Sequence, residues 1–372
     1  MSSEKRNTLI IAGGGTGGHV LAGVAVADAW SKGSGESVDI LFVGAKGGIE
    51  EKLVPRAGYA LSLLKLGSLN GVGWLKKIKT LFRIPFALLK SFWILLTVQP
   101  VAVLGVGGYA SGPLVLMAKV MSFFHLLKAR TAILEQNSVP GMTNRILGRL
   151  VQKVFCAFPG MESRFANKKV VLTGNPIRSA IQPLPSATRD PFTVFIFGGS
   201  QGAQGINTLV IEALPLFEDI KSHLRFIHQT GEKDFDRVAE AHRNWGTNAR
   251  VEKFIYDMPT AYSEASLVIC RAGSSTLSEI AAVGRAALLI PFPFASDNHQ
   301  EVNARVFSDA GAALLLVQQK ANGLDLARLI RGAFQDQNAL TRMEKAVAHF
   351  YRPDAARAIA QELLLDSPKQ LS

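Results

Sequence analysis

The chain has 372 residues, of which 48% are hydrophobic and 19% charged, with a formal net charge of +12. At about 150 residues per domain this length suggests two domains, and so apolar a chain is not a disordered or linker-like protein. Two distant cysteines, Cys156 and Cys270, exclude a disulfide framework and a zinc ribbon and fit reduced thiols in the cytoplasm.

The apolar run at 9–12 is too short for a secretory signal. Residues 8–12 read instead as a buried strand, followed by the loop Gly13-Gly14-Gly15-Thr16-Gly17-Gly18-His19 and a helix from about Val20. Glycines let a backbone turn sharply against a ligand, and the helix start behind them offers N–H groups to an anion. The loop spells GxGxxG through Gly13, Gly15 and Gly18. A dinucleotide site also needs an acid at the end of the next strand. That strand, 38–43, carries Asp39 at its start, which argues against a nicotinamide cofactor.

From Lys52 to Leu134 there is no acidic residue, while eleven basic ones supply +11 of the net charge. Within this span Trp74, Ile78, Phe82, Phe86 and Trp93 recur at helical spacing, with Lys76, Lys79, Arg83 and Lys90 offset from them and Lys77 adding to the basic charge. This is the pattern of an amphipathic helix lying in an anionic membrane interface; a helix packed on a sheet with a solvated basic face is the alternative. Nucleic-acid readers interleave basic with polar and stacking side chains, so no nucleic-acid partner is expected. Pro85 and Lys90 interrupt the run 84–98, so it does not read as a span, which needs about 20 apolar residues. The apolar stretch 113–127 reads as mostly buried.

Strands are expected at 101–105, 132–134 and 154–157, then, after a seam at 173–178 and the Pro-rich 182–191, at 192–197, 224–228, 250–254, 267–269 and 287–290. Helical stretches alternate with them, which means parallel sheets covered on both faces. A second Gly-rich first turn, Gly198-Gly199-Ser200-Gln201-Gly202, means a second sheet. Ligands of such sheets sit beyond the carboxyl ends of the strands, which singles out the loops 13–19, 198–202 and 271–279. In the third, the three hydroxyls of Ser274, Ser275 and Thr276 stand at a helix start, where they suit a diphosphate, and Glu279 could accept from both hydroxyls of a ribose. Thr276-x-x-Glu279 is equally a capping box. Asp234-Phe235-Asp236 spells a metal-binding DxD, but it stands in a helix first turn, where acids favour the macrodipole.

Taken together, Gly14–His19, 105–113, Glu135-Gln136-Asn137, 174–178, 198–202 and 271–279 resemble, in that order, the MurG family of bacterial transferases. That family adds N-acetylglucosamine (GlcNAc) from UDP-GlcNAc to undecaprenyl-pyrophosphoryl-MurNAc-pentapeptide (lipid I), giving lipid II for peptidoglycan. The resemblance implies a GT-B fold, two Rossmann-like, doubly wound parallel-sheet domains facing a cleft. Residues 1–177 would form the acceptor and membrane-association domain, joined by the C-terminal helix in 350–372, and 178–349 the UDP-GlcNAc domain. It implies Thr16, Gly17, Gly18 and Asn137 on one side of the donor site, and Arg178, Ser200, Ile255, the run Ser274, Ser275, Thr276, Leu277, Ser278 and Glu279, and Gln300 on the other. Glu279 would hold the ribose and Gln300 touch the sugar. Leu134 departs from the family pattern, which has a histidine there.

The implied reaction is an inverting transfer to the C4 hydroxyl of MurNAc. The hydroxyl needs a base; His19 is the first candidate and Glu135 the second. Helix N-termini and Arg178 would meet the charge growing on UDP, without metal or cofactor. The implied partners are UDP-GlcNAc, lipid I, the anionic cytoplasmic face of the inner membrane, and proteins of cell-wall synthesis or division. Another UDP-sugar transferase or a UDP-GlcNAc 2-epimerase would share the scaffold.

Overall fold

The computed structural model describes residues 7–33, 38–66, 74–165, 169–199 and 201–364, with 74–81 described by backbone alone. The chain divides into two compact units, Met1–Arg178 with Arg352–Ser372, and Ser179–Tyr351.

The first unit runs β1 (Asn7–Gly13), α1 (Gly17–Gly33), β2 (Val38–Ala45), α2 (Glu50–Arg56), β3 (Ala60–Leu64), α3 (Trp74–Val98), β4 (Ala102–Gly107), α4 (Ser111–Phe123), β5 (Arg130–Glu135), α5 (Met142–Leu147), β6 (Lys153–Cys156) and β7 (Val170–Leu172). Its described strands form one parallel sheet in the order β3-β2-β1-β4-β5-β6-β7. The second unit runs β8 (Phe192–Phe197), α6 (Gln204–Ala213), β9 (Leu224–Gln229), α7 (Phe235–Asn244), β10 (Asn248–Glu252), α8 (Met258–Glu264), β11 (Leu267–Cys270), α9 (Ser274–Val283), β12 (Ala287–Leu289), α10 (His299–Asp309), β13 (Leu314–Leu315), α11 (Gly323–Gln335) and α12 (Gln337–Ala348). Its parallel sheet is ordered β10-β9-β8-β11-β12-β13. The closing helix α13 (Ala355–Leu364) returns to the first unit. Its Ile359, Ala360 and Leu363 pack in one core with Val26, Ala27 and Trp30 of α1. Arg130 donates to the Glu362 carbonyl at 2.7 Å, and Lys153 pairs with the Glu362 carboxylate at 2.8 Å.

Central strands β4 and β8 are buried along their whole length, as continuous apolar runs in doubly covered parallel sheets must be. Strand order reverses between β1 and β4 in the first sheet and between β8 and β11 in the second. Ligands of such sheets bind outside the carboxyl ends at that switch, which in these units means the segments after Gly13 and Gly107, and after Phe197 and Cys270.

Helix α3 runs through Pro85, which stands on its exposed side. Two features differ from the sequence reading. Helix α1 begins at Gly17, so Gly17, Gly18 and His19 belong to its first turn rather than to a loop. The stretch 113–127 is only partly buried: α4 covers the sheet with Leu114, Val115, Ala118 and Met121, but Phe123, Phe124 and Leu126 are 76%, 63% and 52% exposed. The helix ends at Phe123 and the backbone turns at His125 with φ +58°, which carries these side chains past the edge of the sheet's cover.

Candidate functional site

In the first unit the ends of β1 and β4 lie in close approach. A Cβ at Gly108 would come within 2.3 Å of the Gly14 carbonyl oxygen, and one at Gly107 within 2.9 Å of His19 Nε2; both residues hold left-handed φ. Only glycine fits at either position. His19 is half-buried, with Nδ1 3.2 Å from the Gly14 carbonyl oxygen and 3.0 Å from Thr16 Oγ1. A carbonyl only accepts and the Thr16 hydroxyl can accept as well, so a neutral ring with its proton on Nδ1 satisfies both contacts and leaves Nε2 as the proton-accepting nitrogen. The Thr16 hydroxyl also accepts the His19 N–H at 3.4 Å.

A residue that the sequence reading passed over lies beneath this loop. Glu50 is fully buried and accepts from Gly15 N at 3.0 Å and from Ala45 N at 2.8 Å. A Cβ at Gly14, Gly44 or Gly48 would come within 2.1, 2.5 or 2.2 Å of its side chain, so these glycines make the room it occupies. Its only sequence signal is that it precedes the acid-free span among closely spaced glycines.

Glu135, at the end of β5, is 2% exposed. It accepts from Asn137 N at 2.9 Å and Asn137 Nδ2 at 3.4 Å, from Gly141 N at 3.1 Å and from Asn144 Nδ2 at 2.9 Å. Burial pushes its carboxyl up, while these hydrogen bonds favour the ionised form. The carboxylate ties down the 136–141 turn that carries Asn137. Arg178, half-buried, is the last residue of this unit before the crossing to the second.

On α3, Phe82, Phe86, Leu89, Trp93 and Leu96 are 74%, 74%, 57%, 56% and 36% exposed and follow one another at three- and four-residue steps. Ala87, Ser91 and Leu95 form the buried face. Arg83 is exposed, whereas Lys90 donates to the Leu63 carbonyl at 2.8 Å and so anchors the helix to β3. The side chains of Trp74, Lys76, Lys77, Ile78 and Lys79 lie outside the described residues. Among the described residues no helix is long and apolar enough to cross a membrane.

In the second unit, Ser200 lies outside the described residues. Around it, Gln229 at the end of β9 donates to the Gly199 carbonyl at 2.9 Å and accepts from Ile255 N at 2.8 Å. One side chain thus fastens the 198–202 loop to the segment after β10, and the Ile255 N–H is engaged within the fold. Helix α9 starts at Ser274 with Gly273 as its N-cap and no side-chain cap. Thr276 is therefore inside the helix, and the capping-box alternative for Thr276 and Glu279 is not formed. Ser274 and Glu279 are 6% and 9% exposed, Leu277 is wholly buried, and Ser275, Thr276 and Ser278 are half-buried. The Tyr262 hydroxyl donates to Glu279 Oε2 at 3.1 Å and orients the carboxylate. Arg271 is buried and donates to the Ile290 and Pro291 carbonyls, both at 3.0 Å; burial lowers its pKa to about 10. Gln300 accepts from Phe292 N at 2.9 Å, closing the 292–300 turn on α10. The Asp-Phe-Asp sequence is engaged internally: Asp234 accepts from Arg237 at 2.7 and 2.8 Å and from Asn207 at 2.7 Å.

Two parallel α/β units, each with a glycine-rich turn at its switch point, are the architecture of the GT-B fold, and solved structures share it. MurG of Acinetobacter baumannii is similar at TM-score 0.77 and 28% identity, covering 96% of this chain and 99% of that one. CalG4, the calicheamicin glycosyltransferase, shares the fold at TM-score 0.67 and 11% identity, covering 98% and 99%. UDP-GlcNAc 2-epimerase from Neisseria meningitidis also shares the fold, at TM-score 0.67 and 13% identity, covering 96% and 99%. Residues 9–156 match the glycosyltransferase family 28 N-terminal domain, and residues 193–359 its C-terminal domain. Curated relatives named UDP-N-acetylglucosamine--N-acetylmuramyl-(pentapeptide) pyrophosphoryl-undecaprenol N-acetylglucosamine transferase are 44% identical in Myxococcus xanthus, over 95% of this chain and 91% of that one. The one in Syntrophus aciditrophicus is also 44% identical, over 91% and 93%. The chain belongs to the MurG branch of glycosyltransferase family 28.

Proposed function

We infer that the chain transfers GlcNAc from UDP-GlcNAc to lipid I, forming lipid II. The carrying observation is 44% identity over 95% of the chain to a transferase of that name. The epimerase scaffold is alike in fold at 13% identity, which says nothing of its reaction. The exposed aromatic stripe favours an acceptor anchored in a bilayer.

In this reading, His19 Nε2 takes the proton of the MurNAc C4 hydroxyl as the bond to sugar C1 forms with inversion and UDP departs. Its Nδ1 partner, the Gly14 carbonyl, holds the required tautomer. Glu135 acts as a positioning residue rather than a base: three hydrogen bonds from its own turn and one from Asn144 of α5 order Asn137. Glu50 shapes the acceptor-side loop. Glu279, oriented by Tyr262, accepts from the ribose; a carboxylate takes up to about four hydrogen bonds, so the tyrosine need not exhaust it. Ile255 meets the base through its carbonyl, since its N–H is engaged. The resemblance assigns the diphosphate to Ser200 and the α9 start, Ser274 to Ser278, and to Arg178, and the sugar to Gln300 through its amide N–H groups. No metal is called for, because N–H dipoles and a guanidinium meet the leaving group's charge. Thr16, Gly17, Gly18 and Asn137 are the donor-site residues that the resemblance assigns within the first unit. The α3 stripe, with Arg83 and Lys76, Lys77 and Lys79, docks the protein on the cytoplasmic face of the inner membrane beside the lipid-linked acceptor.

Incubation with labelled UDP-GlcNAc and lipid I tests the reading. Labelled lipid-linked disaccharide is expected; UDP-N-acetylmannosamine, or hydrolysis alone, would overturn it.

A further inference from the structure

His228 and His242 are absorbed by no part of this mechanism. His228, next to last in β9, is wholly buried, and His242 in α7 is 2% exposed. His228 Nδ1 lies 3.3 Å from His242 Nε2, and His228 Nε2 lies 3.0 Å from Asn207 Oδ1. We propose that the two histidines form a neutral, one-directional hydrogen-bond relay that positions the nucleotide-side loops of the second unit. The proposal rests on that unit being the donor-binding half.

The direction follows from the chemistry of the partners. Asn207 donates from Nδ2 to the Thr230 carbonyl at 3.0 Å and to Asp234 Oδ2 at 2.7 Å, so its amide orientation is fixed and Oδ1 faces His228. An amide oxygen only accepts; His228 therefore carries a proton on Nε2. In the neutral ring Nδ1 then accepts, so His242 must donate from Nε2. That makes His242 Nδ1 the acceptor for the Thr247 hydroxyl, 2.8 Å away, and the hydroxyl's one proton goes there rather than to the His242 carbonyl, which lies farther off at 3.1 Å. Thr247, His242, His228 and Asn207 thus donate in series, ending on the Thr230 carbonyl. Both rings must be neutral for this order. Burial, the largest influence on both, and their mutual repulsion at His228 lower His228 to about 3 and His242 to about 4. The charged groups nearby are Asp234 and Arg237, paired with each other at 2.7 Å, and the Phe226 ring packs on His242 at 5.3 Å.

The far end of the relay meets the loop. A Cβ at Gly202, where φ is +74°, would come within 2.0 Å of the Thr230 carbonyl oxygen, so the 198–202 loop seats directly on the group that Asn207 holds. The intervening Gln229 fastens Gly199 and Ile255. Three consecutive residues, His228-Gln229-Thr230, therefore set two loops around the nucleotide. A buried polar chain of this kind specifies one geometry only while each member is satisfied.

The full chain carrying His242→Phe, His242→Gln or Thr247→Val tests this, with side-chain nitrogen NMR of the histidines and steady-state kinetics. In the wild type both rings should show the neutral Nε2–H pattern between about pH 5 and 8. His242→Phe removes the donor to His228 and should raise KM for UDP-GlcNAc about tenfold with kcat within about twofold. His242→Gln restores an N–H donor and should bring KM back to within about threefold. Thr247→Val, at the half-buried start of the relay, keeps the test alive if the phenylalanine variant fails to fold; it should raise KM about threefold. Unchanged KM in both His242→Phe and Thr247→Val, or a buried ring titrating near its ordinary pH of about 6.5, overturns the relay. Wild-type protein that fails to bind UDP-GlcNAc in calorimetry overturns the donor reading instead, and the NMR pattern still decides the tautomers.

Discussion

Replacing Phe86 and Trp93 together by serine removes two steps of the exposed α3 stripe without entering the core, since they are 74% and 56% exposed. Aromatic side chains bury about 150–250 Å² each, so the exposed parts of these two amount to roughly 250 Å². At about 25 cal/mol per Å², full transfer from water would contribute about 6 kcal/mol. A helix lying in an interface immerses about half its flank, which leaves about 3 kcal/mol. That is a loss of roughly 150-fold in partitioning. Co-sedimentation with sucrose-loaded vesicles containing anionic lipid, at about 0.1 M salt to limit the charge contribution, measures it. Transfer to a short-chain, water-soluble acceptor should stay within about twofold, and thermal stability should shift little, as expected for exposed positions. Equal partitioning of wild type and variant would refute the docking surface, whatever happened to activity.

His19→Ala should lower turnover by about 10²–10⁴, the range for loss of a general base, with UDP-GlcNAc affinity nearly unchanged; retained turnover reassigns the base. Glu279→Ala should weaken UDP-GlcNAc binding about 10- to 100-fold in calorimetry, as for lost bonds to a charged group, and Glu279→Gln less. Lowered thermal stability at unchanged affinity would make Glu279 a packing residue. Glu50→Ala takes the acceptor from the Gly15 and Ala45 N–H groups and empties the buried space that Gly14, Gly44 and Gly48 leave for the side chain; it should destabilise the fold by about 2–4 kcal/mol in urea titration, with activity on lipid I falling further than stability alone explains. His228 and His242 ionise in the unfolded chain near their ordinary pKa but are held to about 3 and about 4 when folded. Stability is therefore full above the unfolded value and falls as pH drops toward the folded values, by up to about 1.4 kcal/mol per pH unit for each ring. Denaturant titrations from pH 7 to 4 should show a shallower slope for His242→Phe; an unchanged slope would contradict the burial cost.

Most of the architecture is legible in the sequence because parallel strands buried on both faces write themselves as short apolar runs ending in glycine. The elements that escape are β3, β7 and β13. They are short or at sheet edges, and Ala60–Leu64 lacks the β-branched residues that mark a strand. The glycine loops stand out, but their supports do not. Glu50 is 35 residues from Gly15, and Gln229 is 30 from Gly199, so no local spacing announces either. Glu135 is legible by residue type and by its position beyond a strand, but local spacing does not reveal that Asn137, Gly141 and Asn144 all turn toward its carboxylate. The capping-box alternative for Glu279 depends on where α9 starts, and a shift of three residues, from Thr276 to Gly273 as N-cap, decides it. Apolar composition likewise cannot say on which side of the sheet's rim Phe123 and Phe124 fall.

The return of α13 to the first unit gives the polypeptide an order of assembly. The strip of α1 around Val26 and Trp30 has its covering partners, Ile359, Ala360 and Leu363, more than three hundred residues downstream. During synthesis from the N-terminus, all of the second unit leaves the ribosome before that strip can be closed. The second unit is contiguous in sequence and can complete its core alone, whereas the first must wait with apolar surface open to water. A nascent chain is therefore most prone to aggregation or chaperone capture late in translation, and a chain stopped near residue 351 would keep a finished second unit beside an unfinished first.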